Sequence, residues 1–161
     1  MGLVYQINVR PRTPGARGLP KSPVDSVAVT KIGVEGDFNV YRHEELDDDP
    51  DSAVLLMSLE TLRELNEEGW PVRPGDIGEN FTTSGMPYRE FTPGLKLAIG
   101  RAEVQVSRAC DPCDNLFLLP YVRRAKGPEF LKTMLGRRGW YARVLKEGTV
   151  RRGDSIATGR P

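Results

Sequence analysis

The chain has little of what most metal and hydrolytic sites are built from: one histidine and two cysteines in 161 residues. A structural zinc ion takes four nitrogen or sulfur ligands, so a carboxylate or a second subunit would have to complete such a set. The G-x-S-x-G, H-E-x-x-H and P-loop patterns are absent, which leaves hydrolase and nucleoside-triphosphatase chemistry without residues. There is no flavin or iron–sulfur motif, no internal repeat and no low-complexity segment. No apolar run approaches the ~20 residues of a membrane-spanning helix. The start, Met1-Gly2-Leu3-Val4-Tyr5, lacks the charged and apolar sections of an export signal, and Gln6 stands where a myristoylation signal has Ser or Thr. With no export signal and few cysteines, the expected location is the cytoplasm, where thiols stay reduced. An excess of one charge is missing too. The net charge is +1, and nucleic-acid binding needs a basic excess.

What is present suits a soluble globular chain: 39% hydrophobic, 28% charged, mean hydropathy −0.42. The length fits one domain over residues 1–161. The near-neutral total hides an uneven distribution. Residues 35–68 hold twelve acids against two bases, and 121–152 hold ten bases against two acids. Arginine supplies 17 of the 23 bases. Its planar fork grips phosphates and carboxylates in pairs, which points to anion recognition in a pocket; a solvated basic face opposite an acidic one explains the same counts.

Period-two alternation marks a first strand over Leu3–Val9 and another over Val24–Val29. A Pro- and Gly-rich loop separates them, and Gly33 and Gly36 bracket a turn. Glu44 to Asp51, acidic except at Leu46 and Pro50, reads as an exposed loop. Ala53–Met57 is a short apolar strand, Ser58 an N-cap, and Leu59, Leu62 and Leu65 one face of a helix that Gly69 stops. Further strands are expected at 79–83, 96–99 and 102–107, with a short helix over Pro128–Leu135. A hairpin is expected from Trp140–Leu145 to Thr149–Arg151, then a closing strand over Ser155–Thr158. Many short strands with 17 glycines and 13 prolines favour a mainly β fold with a few short helices, its antiparallel sheet curled into a barrel.

Both cysteines fall in Cys110-Asp-Pro-Cys113, where a strand breaks into a turn. As a C-x-x-C this could be a redox pair, but Leu116–Tyr121 is too short for the long helix such a pair sits on. Two buried cysteines acting as small hydrophobes are the bland alternative. His43, beside Arg42 and the Gly36-Asp37 turn, could help hold an anion. Lys21-Ser22 sets a cation beside a hydroxyl.

Several pieces then run in series: Gly36-Asp37, Arg42-His43, Pro74-Gly-Asp-Ile-Gly-Glu-Asn80, Pro112-Cys113-Asp-Asn-Leu116, Gly139-Trp-Tyr-Ala-Arg-Val144, Gly148 and Gly153-Asp154. Together they resemble the MOSC domain, the C-terminal domain of molybdenum-cofactor sulfurases, which also occurs alone in bacteria. The resemblance implies a β-barrel and a molybdenum–pterin cofactor, with Cys113 either on the metal or carrying a persulfide. It implies that Lys21 and Ser22 meet the cofactor phosphate and that Arg42, His43, Asn80, Arg108 and Arg143 line the pocket. Two activities follow: reduction of N-hydroxylated small molecules, which needs an electron-donor reductase, or carriage of sulfur or cofactor to an accepting enzyme. Some members are linked by inference to pyridoxal phosphate, yet no lysine here has an obvious Schiff-base setting. Cys110 departs from the family pattern, as a resolving thiol or a small buried residue, and so does the acidic stretch around Asp47–Asp51.

Overall fold

In the computed structural model, residues 1–159 are described. Their strands are β1 (Gly2–Val9), β2 (Ser22–Val24), β3 (Ser26–Thr30), β4 (Gly33–Val34), β5 (Val54–Ser58) and β6 (Phe81–Ser84). After these come β7 (Lys96–Ile99), β8 (Ala102–Ala109), β9 (Trp140–Lys146), β10 (Gly148–Arg151) and β11 (Ser155–Thr158). The helices are α1 (Val40–Glu45), α2 (Leu59–Glu67) and α3 (Arg123–Met134). Seven strands run β11-β7-β8-β9-β5-β6-β1, and β1 pairs back onto β11 through Gly2↔Ile156, so the barrel closes. Closure leaves no open edge among these seven. β2 extends one side beyond β1, and β10, β3 and β4 form a second small sheet.

The barrel is antiparallel except at one seam, where β5 and β6 run parallel. A parallel neighbour needs a crossover connection, and α2 with the loop behind it provides one. β5 also explains its own composition. Val54–Ser58 is buried at every position because both faces are covered: Val54 and Leu56 point into the barrel with Ile7, Phe81 and Ile99. Met57 packs outside it with Leu62, Leu65, Phe130 and Met134 of α2 and α3. A strand covered on both sides reads as a continuous apolar run. Each fully buried Leu, Ile or Phe here stabilises the fold by about 1.5–3 kcal/mol.

The structure differs from the sequence-based expectation in several places, among them the start of β6 at Phe81 and the helix α1 that takes in Glu44 and Glu45 of the expected acidic loop. Val24–Val29 is not one strand: β2 stays with β1, and the chain changes sheets at Asp25 to begin β3. The expected 140–151 hairpin is absent for the same kind of reason. β9 pairs with β5 and β8, whereas β10 pairs with β3. α3 begins five residues before Pro128, with Arg123 at φ 49°. Gly127 holds that early turn against the fold, since a Cβ there would meet the Phe117 ring at 2.4 Å. Finally, Ser58 sits at the N-cap of α2 but bonds the Glu60 carboxylate at 2.7 Å and caps no helix N–H.

Candidate functional site

β8 delivers the cysteines. The Cys110 N–H donates to the Gly139 carbonyl at 2.8 Å, which ties the end of β8 to the turn before β9. Pro112 then directs the chain away, and the Cys113 carbonyl accepts from Leu116 N–H at 3.1 Å to begin a 3-10 turn over Asp114–Leu118. Both thiols are free. They line one pocket, with Lys21 from the loop before β2, Tyr41 from α1, Arg138 from the turn before β9 and Tyr141 from β9 itself. Cys113 is half-buried and Cys110 is buried, packed with Leu55 and Tyr141.

The electrostatics separate the two sulfurs. Burial pushes the Cys110 thiol up, and the Arg138 charge and the Tyr141 hydroxyl only partly offset this, so Cys110 stays a thiol at neutral pH. Burial, then the Cys113 and Cys110 sulfurs, raises the Tyr41 phenol. Tyr88, behind Cys110, is pushed up to about 12 chiefly by burial. These phenols remain protonated and can donate.

A buried polar network lies beneath. Lys21 Nζ meets Asp37 Oδ2 at 2.6 Å with both side chains almost fully enclosed. The same oxygen accepts from Asn80 Nδ2 at 2.8 Å, while Asp37 Oδ1 accepts from the Arg10 N–H at 2.8 Å. Asn80 Oδ1 in turn accepts from Leu55 N–H at 3.0 Å, pinning the network to β5. Lys21 is therefore at the pocket wall with its charge answered, and Asn80 supports the wall from behind.

The remaining residues expected at the cofactor stand elsewhere. Ser22 is exposed on β2, outside the pocket lining. The acidic stretch folds back on the basic residues rather than projecting as a free loop. Arg42 donates to the carbonyls of Ile32, Asp48 and Asp49 at 2.7, 3.0 and 3.3 Å. His43 Nδ1 lies 2.7 Å from Asp48 Oδ2. Arg108 reaches Asp49 Oδ2 at 3.2 Å and Ser52 Oγ at 2.5 Å, and Arg143 Nε reaches Asp51 Oδ1 at 3.1 Å. Arg42, His43, Arg108 and Arg143 thus hold the acidic segment and line none of the cysteine pocket, although Arg108 covers the outer face of the Tyr141 ring.

Sequence reasoning missed Arg138. Of the pair Arg137-Arg138, the first turns outward to a two-fold bond with Glu68 at 2.6 and 2.8 Å. The second is 6% exposed, and its Nε and Nη1 meet no hydrogen-bond partner among the described residues. Gly139 follows at φ 109°, where a Cβ would sit 2.6 Å from the Leu56 carbonyl. Nothing in an Arg-Arg-Gly string says which arginine turns inward.

The fold is thus a closed β-barrel with two thiols and a buried guanidinium lining one pocket. The sequence assigns it further: residues 40–157 match the MOSC domain, and the chain belongs to the MOSC domain family, which is associated with molybdenum-cofactor binding. YiiM of Geobacillus stearothermophilus is similar in structure at a TM-score of 0.74 and 28% identity, over 99% of this chain and 76% of that one. The YuaD protein of Bacillus subtilis shares the fold at 0.78 and 20% identity, over 97% and 94%. YiiM of Escherichia coli does so at 0.70 and 23%, over 100% and 71%. No curated protein matches. Among the described residues no helix is long and apolar enough to cross a membrane, and no group of three His, Cys, Asp or Glu could hold a metal.

Proposed function

We propose that this protein binds a molybdenum–pterin cofactor with the Cys113 sulfur on the metal and reduces N-hydroxylated small molecules. The observation that carries the reading is the half-buried, free Cys113 in a pocket whose buried Arg138 leaves Nε and Nη1 without a hydrogen-bond partner among the described residues. The residues present fit such a group, because a soft thiolate suits a thiophilic metal and an unanswered guanidinium suits an anionic cofactor.

The cofactor would supply the two-electron redox step. This chain's own residues do the rest. Cys113 anchors and orients, and Arg138 holds negative charge. The Tyr41 hydroxyl, kept protonated by its burial and by the nearby sulfurs, can give a proton to a departing oxygen. Converting R–NHOH to R–NH2 and water consumes two electrons and two protons, so an electron-donor reductase is the partner required. Ser22, Arg42, His43, Arg108 and Arg143 take no direct part, and Lys21 and Asn80 act by shaping the wall.

A second reading, carriage of sulfur or cofactor to an accepting enzyme, draws on the free Cys113 thiol: the outer sulfur of a persulfide held there would pass to a nucleophile of the acceptor and leave the Cys113 thiolate. Both readings suit a reducing cytoplasm. Cofactor-loaded protein, supplied with a reductase and an N-hydroxylated base, should form the amine, and Cys113→Ser should form none. Loaded protein that forms no amine, yet shows a sulfane-sulfur increment on Cys113 by intact mass, would replace the first reading with the second.

A further inference from the structure

Arg138 poses a physical problem that the family assignment does not answer. Burying an ion without a partner costs several kcal/mol, and folds retain such a group where something else meets it. Glu79, a carboxyl that feels the Arg138 charge, forms no salt bridge with it. Glu79 Oε1 is taken by the Gly75 N–H at 2.7 Å and the Thr82 hydroxyl at 2.8 Å, and Oε2 is itself without a partner. Burial also pushes that carboxyl up, toward its neutral form. The pocket adds to the positive charge. Arg17 and Lys21 join Arg138 in the lining against the single carboxylate of Asp111. Lys21 is neutralised by Asp37, whereas the Arg17 Nε bonds only the uncharged amide of Asn115, at 3.2 Å.

We propose that Arg138 makes this pocket a receptor for an oxyanion group, a phosphate or a carboxylate, held beside the Cys113 sulfur. The planar fork of a guanidinium matches two oxygens of such a group, and its seclusion from water strengthens the contact. The inference rests on the cofactor reading only for which molecule carries the anion, cofactor or substrate.

The test uses the full chain without cofactor, inorganic phosphate, and two alkylating reagents of similar size, iodoacetate (anionic) and iodoacetamide (neutral). Labelling is assigned to Cys113 by peptide mass. Arg138→Met should lower the iodoacetate-to-iodoacetamide rate ratio about tenfold, the effect of one partly screened charge at close range. Phosphate at constant ionic strength should slow labelling of the wild type and leave the variant unaffected. An unchanged ratio, or phosphate protection that survives in R138M, overturns the proposal. Arg138→Gln, polar and uncharged, carries the same measurement if the methionine chain does not fold. Calorimetric titration of phosphate into molybdenum-loaded protein separates the sources: phosphate binding is lost if the cofactor supplies the anion and kept if the substrate does. Protein that binds phosphate through Arg138 but never molybdenum keeps this inference and loses the cofactor reading.

Discussion

Replacing Lys21 by Met removes an ammonium and leaves its carboxylate partner enclosed. The Lys21–Asp37 pair is 2.6 Å long, with side-chain exposures of 1% and 8%. Breaking a buried pair from one side costs about 3–5 kcal/mol, because the surviving charge is left without its counter-ion. Asp37 would retain two donors, Asn80 Nδ2 and the Arg10 N–H, so the lower end applies, roughly 3 kcal/mol. For a chain of this length each kcal/mol moves Tm by roughly 2–4 °C, which gives a fall of about 9 °C. Urea and thermal unfolding followed by circular dichroism measure it. The double variant Lys21→Met/Asp37→Asn should recover much of the loss, since the stranded charge is gone. A loss below about 1 kcal/mol, or one that is the same whether residue 37 is Asp or Asn, would refute the reasoning and return Lys21 to the role of a free phosphate ligand.

Glu79→Gln tests the buried carboxyl. Its folded pKa is raised by burial, so its contribution to stability is fully present below the ordinary value of 4.5 and is lost as pH rises through the folded value. The variant should therefore gain on the wild type as pH rises to about 8; parallel stability curves for the two proteins would contradict the assignment. Gly139→Ala should destabilise by about 3 kcal/mol, because φ 109° and the Leu56 carbonyl both oppose a Cβ; unfolding near the wild-type midpoint would contradict it. Arg143→Ala breaks an exposed pair with Asp51 and should change stability by less than about 1 kcal/mol. A drop several times larger in chemical denaturation would show that the acidic segment is a structural strap rather than a surface pairing.

The barrel was legible because its strands alternate, and the strands 96–99 and 155–158 were placed residue for residue. The thiol turn was legible too, since Pro112 and the end of a strand mark it locally. Sheet membership was not. Val24–Val29 and the 140–151 stretch look continuous along the chain, and only pairing across the fold divides them between two sheets. The partners of the arginines were not legible for a related reason. Charge counts show that acids and bases balance without showing which ones meet, so the contacts of Arg42, Arg108 and Arg143 with the Asp48–Asp51 segment come from the fold. Arg138 was hidden beside an identical neighbour whose partner, Glu68, lies 69 residues away.

Metal analysis of the protein purified from a molybdenum-cofactor-producing host, wild type beside Cys113→Ala, tests the central claim. The account predicts molybdenum approaching the chain concentration in the wild type and lost from the variant, with both folded. Equal molybdenum in the two proteins, or none in either, would contradict ligation by Cys113.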